Sequence, residues 1–304
     1  MDLKQFRYFV TVVNEGTISA AAEKLHMTQP PLSTQLKLLE EEAGCLLFER
    51  GPRSIRLTDA GKMLYERAVT LLHMSSLLKE ELREYRHGSH GTLRLGIVSS
   101  VNSTLFCQWF RGFHESHPDI QFELSEDNTY GLLDKLRNGL IELAIVRTPF
   151  PSGDFQCIPL KKEAILAAGH KHLFQNPDIS HKISPSSDGK ISLEALSALP
   201  LILYRRWEPV LKEAFHSRNL SLEPLCKNDD ARTTAFWADA GLGVGILPES
   251  AVSLFRNPET VWKTIDDEEL TSTITLIHGK NSYLSAAAKA FGEYLRELYG
   301  VSGS

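Results

Sequence analysis

Phe6, Phe9, Val10 and Val13 recur at three- and four-residue intervals, which predicts an amphipathic helix over residues 3–14 that Gly16 terminates. Thr17 is placed to cap a second short helix, ISAAAEKL, with Ala21, Ala22 and Leu25 inward. After a brief turn at His26-Met27, Thr28 opens a third helix. Pro30 and Pro31 fall in its first turn, where backbone N–H groups have no intrahelical partner and proline costs little. Leu32, Leu36, Leu39 and Ala43 form its apolar stripe, and Gly44 is its stop. Leu46–Glu49 and Ile55–Leu57 then read as two short strands joined by the turn Gly51-Pro52-Arg53-Ser54, with Arg50, Arg53 and Arg56 clustered on the ribbon. Three helices followed by a basic hairpin predict a winged helix-turn-helix over 1–58.

Thr58 begins the longest helical pattern. Leu64, Ala68, Leu71, Ser75, Leu78, Leu82 and Tyr85 follow at alternating steps of four and three, a heptad seam with one polar interruption. At ~1.5 Å per residue such a helix over 59–87 is roughly 45 Å long. A small N-terminal domain cannot cover a stripe of that length, so a linker and dimerisation helix is expected, with Leu64, Ala68, Leu71, Leu78, Leu82 and Tyr85 facing a second copy. His87-Gly88-Ser89-His90-Gly91 supplies a hinge, placed at 88–91. Beyond it strands and helices alternate: TLRLGIV, STLFCQWFRGFHES, IQFELSE, GLLDKLRNG, LIELAIV. This is the pattern of an α/β domain with a parallel sheet, over 92–304. A second α/β segment starts near Glu163. It divides the domain into subdomain I (about 92–162 and 266–304) and subdomain II (about 163–265). A polar loop near 174–191 lies within subdomain II. The fold class is therefore α/β overall, with a mainly α N-terminal domain.

Composition changes little. Forty-two per cent hydrophobic and 23% charged residues are those of an ordinary globular chain. No run of 18 apolar residues exists, and MDLKQFRYFV has no signal-peptide pattern, so neither membrane span nor secretion is expected. The four cysteines are widely spaced and form no CxxC, which fits free thiols in a reducing cytoplasm. Charge matters more. The net −5 argues against nucleic acid, but residues 1–91 balance at 12 basic and 12 acidic, so the excess lies beyond them. A DNA-binding reading rests on where charge is placed, not on its total.

The third helix carries that placement. HMTQPPLSTQLKLLE puts Ser33, Thr34 and Gln35 on the outer face of a helix start where Glu or Lys would be usual. Compact donors and acceptors suit approach to phosphates and base edges in the major groove. Thr28, Gln29 and Pro30 lie at the same helix start, Lys37 adds a phosphate contact a turn on, and free N–H groups of the first turn favour a phosphate. The plainer alternative is a neutral polar helix face. The aromatic first helix, A-A-x-x-L, T-Q-P-x-L-S, L-E-x-x-x-G, L-F-x-R and L-T-x-A-G together resemble the DNA-binding region of LysR-type transcriptional regulators, strongly over residues 1–90. TLRLGI, FHESHPDI, LRNGLIELAI, LPLIL and AGLGVGILPES extend the likeness more loosely over the rest. The resemblance implies a cytoplasmic dimer of dimers bound to promoter or operator DNA. It also implies a periplasmic-binding-protein-like effector domain, and contact with RNA polymerase if the protein is an activator. No cofactor is implied.

An effector site is expected between the α/β subdomains, at strand C-terminal ends and helix N-termini. Ser99, Ser100, Val101 and Asn102 follow the first strand and form a candidate anion nest. Arg147 and Thr148 end the strand IELAIV, and the resemblance places Arg147 and Thr129 at the cleft. Tyr204 and Arg205 follow LPLIL, with Arg206 beside them; Asn228 precedes a helix; and Gly245 lies at a close backbone approach. Arginines at a cleft, Arg147 with Arg205 or Arg206, point to a small carboxylate-bearing metabolite. The sequence departs from the family in Glu142, where an Asp is usual, in HKHLF and in the 174–191 loop. These departures bear on the shape of the second subdomain. GLGVG at 241–245 runs helix to strand, the reverse of a dinucleotide fingerprint. His114/His117 and His170/His172 lack a completing ligand set, so no metal is expected. Asp229-Asp230 reads as a helix cap rather than an acid–base pair. The competing reading is a metabolic enzyme or solute-binding protein that uses its N-terminal helices only to oligomerise.

Overall fold

The computed structural model describes residues 1–49, 55–87, 91–101, 104–175 and 189–301, with 80, 81 and 83–87 as backbone only. The chain divides near residue 89 into two compact units.

The first unit packs α1 (Leu3–Glu15), α2 (Ile18–Lys24) and α3 (Gln29–Ala43) against the start of α4 (Asp59–His87). Asp2 and Gln5 form a reciprocal capping box on α1, with Gln5 N–H donating to Asp2 at 2.7 Å and Asp2 N–H to Gln5 at 3.0 Å. Gly16 and Gly44 close α1 and α3 in the left-handed region, at φ +72° and +70°. The core consists of Phe9, Val12, Ala21, Ala22, Leu32, Leu36, Leu39 and Leu47, all buried. The periodic reading omits Val12, which is fully buried, whereas Phe6, Val10 and Val13 are only partly covered.

Three local expectations are revised. Thr28 occupies the N-cap position of α3 but makes no capping bond. The donors it would accept from belong to residues 30 and 31, and both are prolines without an N–H. The two predicted wing strands reduce to one antiparallel bridge, Phe48 with Leu57, extended by Glu49 N–H to the Arg56 carbonyl at 2.9 Å. Arg50, Arg53 and the other residues of 50–54, where the sequence reading placed the turn, lie outside the described residues. Along α4, Leu64 packs on the domain's own core and Ala68 is buried, so the exposed part of the seam begins only at Leu71. Gly61 is required near the start of α4 because a Cβ there would run into the Leu47 carbonyl oxygen.

In the second unit one sheet runs β2-β1-β3-β10-β4-β8-β6-β7, with β9 also on β4 and β5 on β9. β1 (Thr92–Ile97) is parallel to β2 (Gln121–Glu126) and β3 (Leu143–Arg147). β6 (Leu201–Tyr204) is parallel to β7 (Cys226–Asn228) and β8 (Val244–Pro248). Between them runs β4, a 16-residue strand from Phe155 to His170 that is antiparallel to β10 (Thr271–Gly279) at one end and to β8 and β9 (Thr260–Ile265) at the other. β5 is Lys190–Ile191. One apolar core includes Leu95, Trp109, Phe113, Ile145 and Phe291; a second includes Ile165, Trp207, Phe215 and Ile246. Along β4 the cores change over between Leu160 and Ile165, and the two lobes meet there.

Glu142 lies in the first lobe, not the second. Its Oε1 accepts from Ser285 N–H at 2.7 Å and holds the start of the C-terminal helix Ala286–Leu298. It stands just before β3, whereas Arg147 ends that strand. The longer carboxylate at this position therefore fastens a helix and leaves the interlobe region alone.

Candidate DNA-binding and effector sites

On α3 the leucines turn inward and the opposite face is open. Thr28, Gln29, Pro30, Thr34 and Lys37 are exposed, and Ser33 and Gln35 are half-buried. Thr34 donates its hydroxyl proton to the Pro30 carbonyl at 3.0 Å, which leaves the oxygen to accept. Lys37 is only loosely paired with Glu41, at 4.0 Å. The two prolines delete two donors of the first turn, so α3 offers side chains more than a backbone anion site. Glu40 accepts from Leu47 and Phe48 N–H at 2.7 and 3.2 Å, and ties the α3 end to the start of the wing, where Arg56 is exposed.

Between the lobes of the second unit is a cleft of about 510 Å³. Its lining comes from the start of the helix Thr129–Arg137 with Asn128, Thr129 and Tyr130, from Pro149, Phe150 and Pro151 after β3, from Tyr204 at the end of β6 with Arg205 and Arg206 after it, and from Pro209, Val210 and Asp229. Such a volume, with mostly apolar walls and a few convergent polar groups, is that of a small-molecule site.

The structure sorts the expected effector residues. Thr129 is buried at the cleft and accepts from Arg206 Nη1 at 2.7 Å. Tyr204, also buried, lines the same cleft, and burial raises its phenol above the ordinary range. Arg205 reaches the rim, where its Nε donates to Asp229 at 2.8 Å. Arg147 is no open clamp. It is fully buried and paired with the equally buried Glu163 at 2.9 Å; its Nε donates to the Ser100 hydroxyl at 3.0 Å and its Nη2 to Ser250 at 2.6 Å. Burial lowers the Arg147 pKa against the pull of Glu163. Burial pushes Glu163 up, but the charges of Arg147 and Lys161, with bonds from Lys161 and Ser250, outweigh it and hold the carboxyl below its ordinary value.

The serine nest is used in the same way. Ser100 is consumed by Arg147, Val101 is sealed in the first-lobe core, and Asn102 lies outside the described residues. Thr148 accepts from Thr273 N–H at 2.9 Å and anchors the chain to β10. Asn228 spends its amide on Thr234 at 2.9 Å and on Asp230 N–H at 3.1 Å. Gly245 is small because the helix Ala231–Asp239 lies on it: a Cβ would meet Thr234 and Ala238 at 3.1 Å. These three are structural, not cleft-lining. Asp230 caps that helix through Arg232 and Thr233 N–H, while Asp229 turns to Arg205.

Arg206 is the residue that the sequence ranked too low. Its Nη1 meets Thr129, its Nη2 donates to the Arg147 and Pro149 carbonyls, and its Nε is buried without an acceptor. Burial lowers its pKa, and Arg147 lowers it further. An arginine pair, Arg205-Arg206, was visible in sequence; which of the two turned inward was not. His170 Nδ1 accepts from His172 N–H at 3.4 Å as a cap. Among the described residues no group of three or more His, Cys, Asp or Glu could hold a metal, and no helix is long and apolar enough to cross a membrane.

A helix-turn-helix domain ahead of a two-lobed α/β domain with an interlobe cleft defines the class: a ligand-responsive DNA-binding regulator. The model of the LysR substrate binding domain matches residues 86–300, and that of the bacterial regulatory helix-turn-helix protein, lysR family, matches residues 3–62. The chain belongs to the LysR family and is a DNA-binding transcriptional regulator with an effector-binding domain, not an enzyme. It is 29% identical to the HTH-type transcriptional regulator BsdA of Bacillus subtilis (strain 168), over 96% of this chain and 99% of that protein. It is 28% identical to BenM of Acinetobacter baylyi (strain ATCC 33305 / BD413 / ADP1), over 100% and 98%. Among solved structures, full-length CbnR complexed with its target DNA superposes with a TM-score of 0.76 at 24% identity, covering 98% of this chain and 99% of that one. Full-length BenM gives a TM-score of 0.56 at 25% identity, over 99% and 97%.

Proposed function

We propose that α3 enters the major groove and reads an operator through Thr28, Gln29, Pro30, Ser33, Thr34 and Gln35. Lys37 and the wing arginines Arg50, Arg53 and Arg56 hold phosphates. The observation that carries this reading is the division of α3: Leu32, Leu36 and Leu39 are buried while its uncharged polar face stays open beside an exposed Arg56. The outer half of α4 supports a dimer, because Leu71, Met74, Leu78 and Leu82 are exposed along one long helix, Leu78 and Leu82 by 58% and 57%. Two such dimers form a tetramer in the cytoplasm, and an activator would also touch RNA polymerase. A small organic acid in the interlobe cleft shifts the balance between two assemblies, and α4 passes that shift to the spacing of the DNA-binding pairs.

The test is capture of fragmented genomic DNA by the purified protein, followed by sequencing, with and without a panel of organic acids. Enrichment of a few sites with two-fold-related half-sites is expected, with protected lengths that change with the acid. Gln35→Ala should flatten the sequence preference, whereas Lys37→Ala should weaken all duplexes alike and reduce the salt dependence. Uniform weak capture would overturn the DNA-reading role of α3.

A further inference from the structure

The chemistry of the effector follows from the cations at the cleft. Arg147 lies just behind it, but its charge is matched by Glu163 at 2.9 Å. Arg205 is on the rim, matched by Asp229 at 2.8 Å. Among the described residues that line the cleft, Arg206 is the one cation without a carboxylate partner; it rests on a hydroxyl and two carbonyls, and its buried Nε–H has no acceptor. A half-buried guanidinium with a covered Nε–H and no counter-ion carries a desolvation cost, and an arriving carboxylate offsets it. The walls set the rest of the ligand. Tyr130, Phe150, Tyr204 and Val210, with three prolines, surround the space with apolar surface. Among the described residues of the lining no second cation is left unmatched, since Arg205 and Asp229 neutralise each other.

Resting on the reading of this cleft as the effector site, we propose that the effector is a monocarboxylic acid with an aryl-sized apolar body. Arg206, not Arg147 or Arg205, holds its carboxylate. A small swing of the Arg206 side chain exchanges its backbone carbonyl partners for the acid, while Thr129 keeps the guanidinium in place. Arg206 also reaches from the second lobe to Thr129, Arg147 and Pro149 of the first, so its change of partners is felt by both lobes.

The full-length protein is titrated calorimetrically with benzoate, phenylacetate, 3-phenylpropionate and cyclohexanecarboxylate. The comparison ligands are phenylacetamide, glutarate and 1,4-phenylenediacetate. At least one apolar monoacid should bind, about tenfold or more tighter than its amide or than glutarate, the usual size of a charge-assisted hydrogen bond. Arg206→Gln should collapse the acid-over-amide ratio towards one, and Arg206→Lys should restore part of it. Asp229→Asn frees Arg205 and should narrow the gap between phenylacetate and the dianionic 1,4-phenylenediacetate. Thermal unfolding of each variant establishes that it is folded. Failure of every apolar monoacid to bind, preference for glutarate, or an unchanged acid-over-amide ratio in a folded Arg206→Gln protein would overturn the proposal. Operator capture by the same preparation separates the two readings: specific DNA capture with no acid binding discards the ligand class and leaves the regulator. Loss of specific capture discards the DNA-reading role proposed for α3.

Discussion

Arg147 and Arg206 occupy neighbouring ground between the lobes; Arg147 is fully buried and Arg206 half-buried, and their surroundings differ in a second respect. Arg147 has a buried carboxylate, Glu163, and bonds to Ser100 and Ser250. Arg206 has a hydroxyl and two carbonyls but no anion. A matched buried charge is structural: it orders both lobes around β4 and leaves little attraction for a ligand. An unmatched one is poised, and its missing counter-ion is what a ligand supplies. The same residue type, a few ångströms apart in a fold, is committed in one place and available in the other.

The largest expected effect comes from breaking the matched pair. Glu163→Gln leaves the Arg147 cation buried and uncompensated and should cost about 3–5 kcal/mol of stability in urea unfolding. A loss under about 1 kcal/mol would mean that solvent reaches the pair and that the contrast with Arg206 is false. Replacing both partners, Arg147→Met with Glu163→Met, should recover most of that loss, because buried ion pairs exchange for apolar residues at little net cost. A double variant no more stable than the single one would show that Ser100 and Ser250 depend on Arg147 for order.

Acid sharpens the comparison next. Glu163 titrates below its unfolded value in the folded protein, so its contribution is fully present above the ordinary carboxyl range. It is lost as pH falls through the lowered folded value. Wild-type stability should therefore decline on acidification more steeply than that of Glu163→Gln, and parallel pH profiles would remove Glu163 from the account. Arg206→Met should change stability by only about 1 kcal/mol, as lost hydrogen bonds offset relief of an unpaired charge. A large destabilisation would make Arg206 a structural tie like Arg147. Arg205→Ala, on an exposed pair, should be smallest, within about 1 kcal/mol in the same unfolding assay, and a larger loss would place that pair out of solvent.

Much of the N-terminal unit was legible because its information is local. Leucines at 32, 36 and 39, glycines at 16 and 44, and Thr17 before an alanine-rich helix act over a single turn, where helical geometry dictates who faces whom. Even there the pair Pro30-Pro31 misled, since a threonine before a helix suggests a cap until the missing donors are counted. The candidate effector site was legible as a region and not as a set. Strand ends pointed to Tyr204 and Arg205 and the family resemblance to Thr129, while the same reading swept in Thr148, Asn228 and Gly245, whose polar groups or small size serve neighbours in the chain or sheet. Tyr130, Phe150 and Val210 left no periodic mark, because a cleft wall gathers one residue from each of several loops.

By itself the sequence determined the helix-turn-helix, the long α4 and the two-lobed α/β plan, because periodicity, caps and turn residues act between near neighbours. Only the tertiary structure decided which arginine is matched by a carboxylate and which is held by a hydroxyl and carbonyls alone. Arg147 and Glu163 are joined across β10, which pairs with both of their strands. Electrostatics depends on distance through space, and that distance exists only once the sheet has formed.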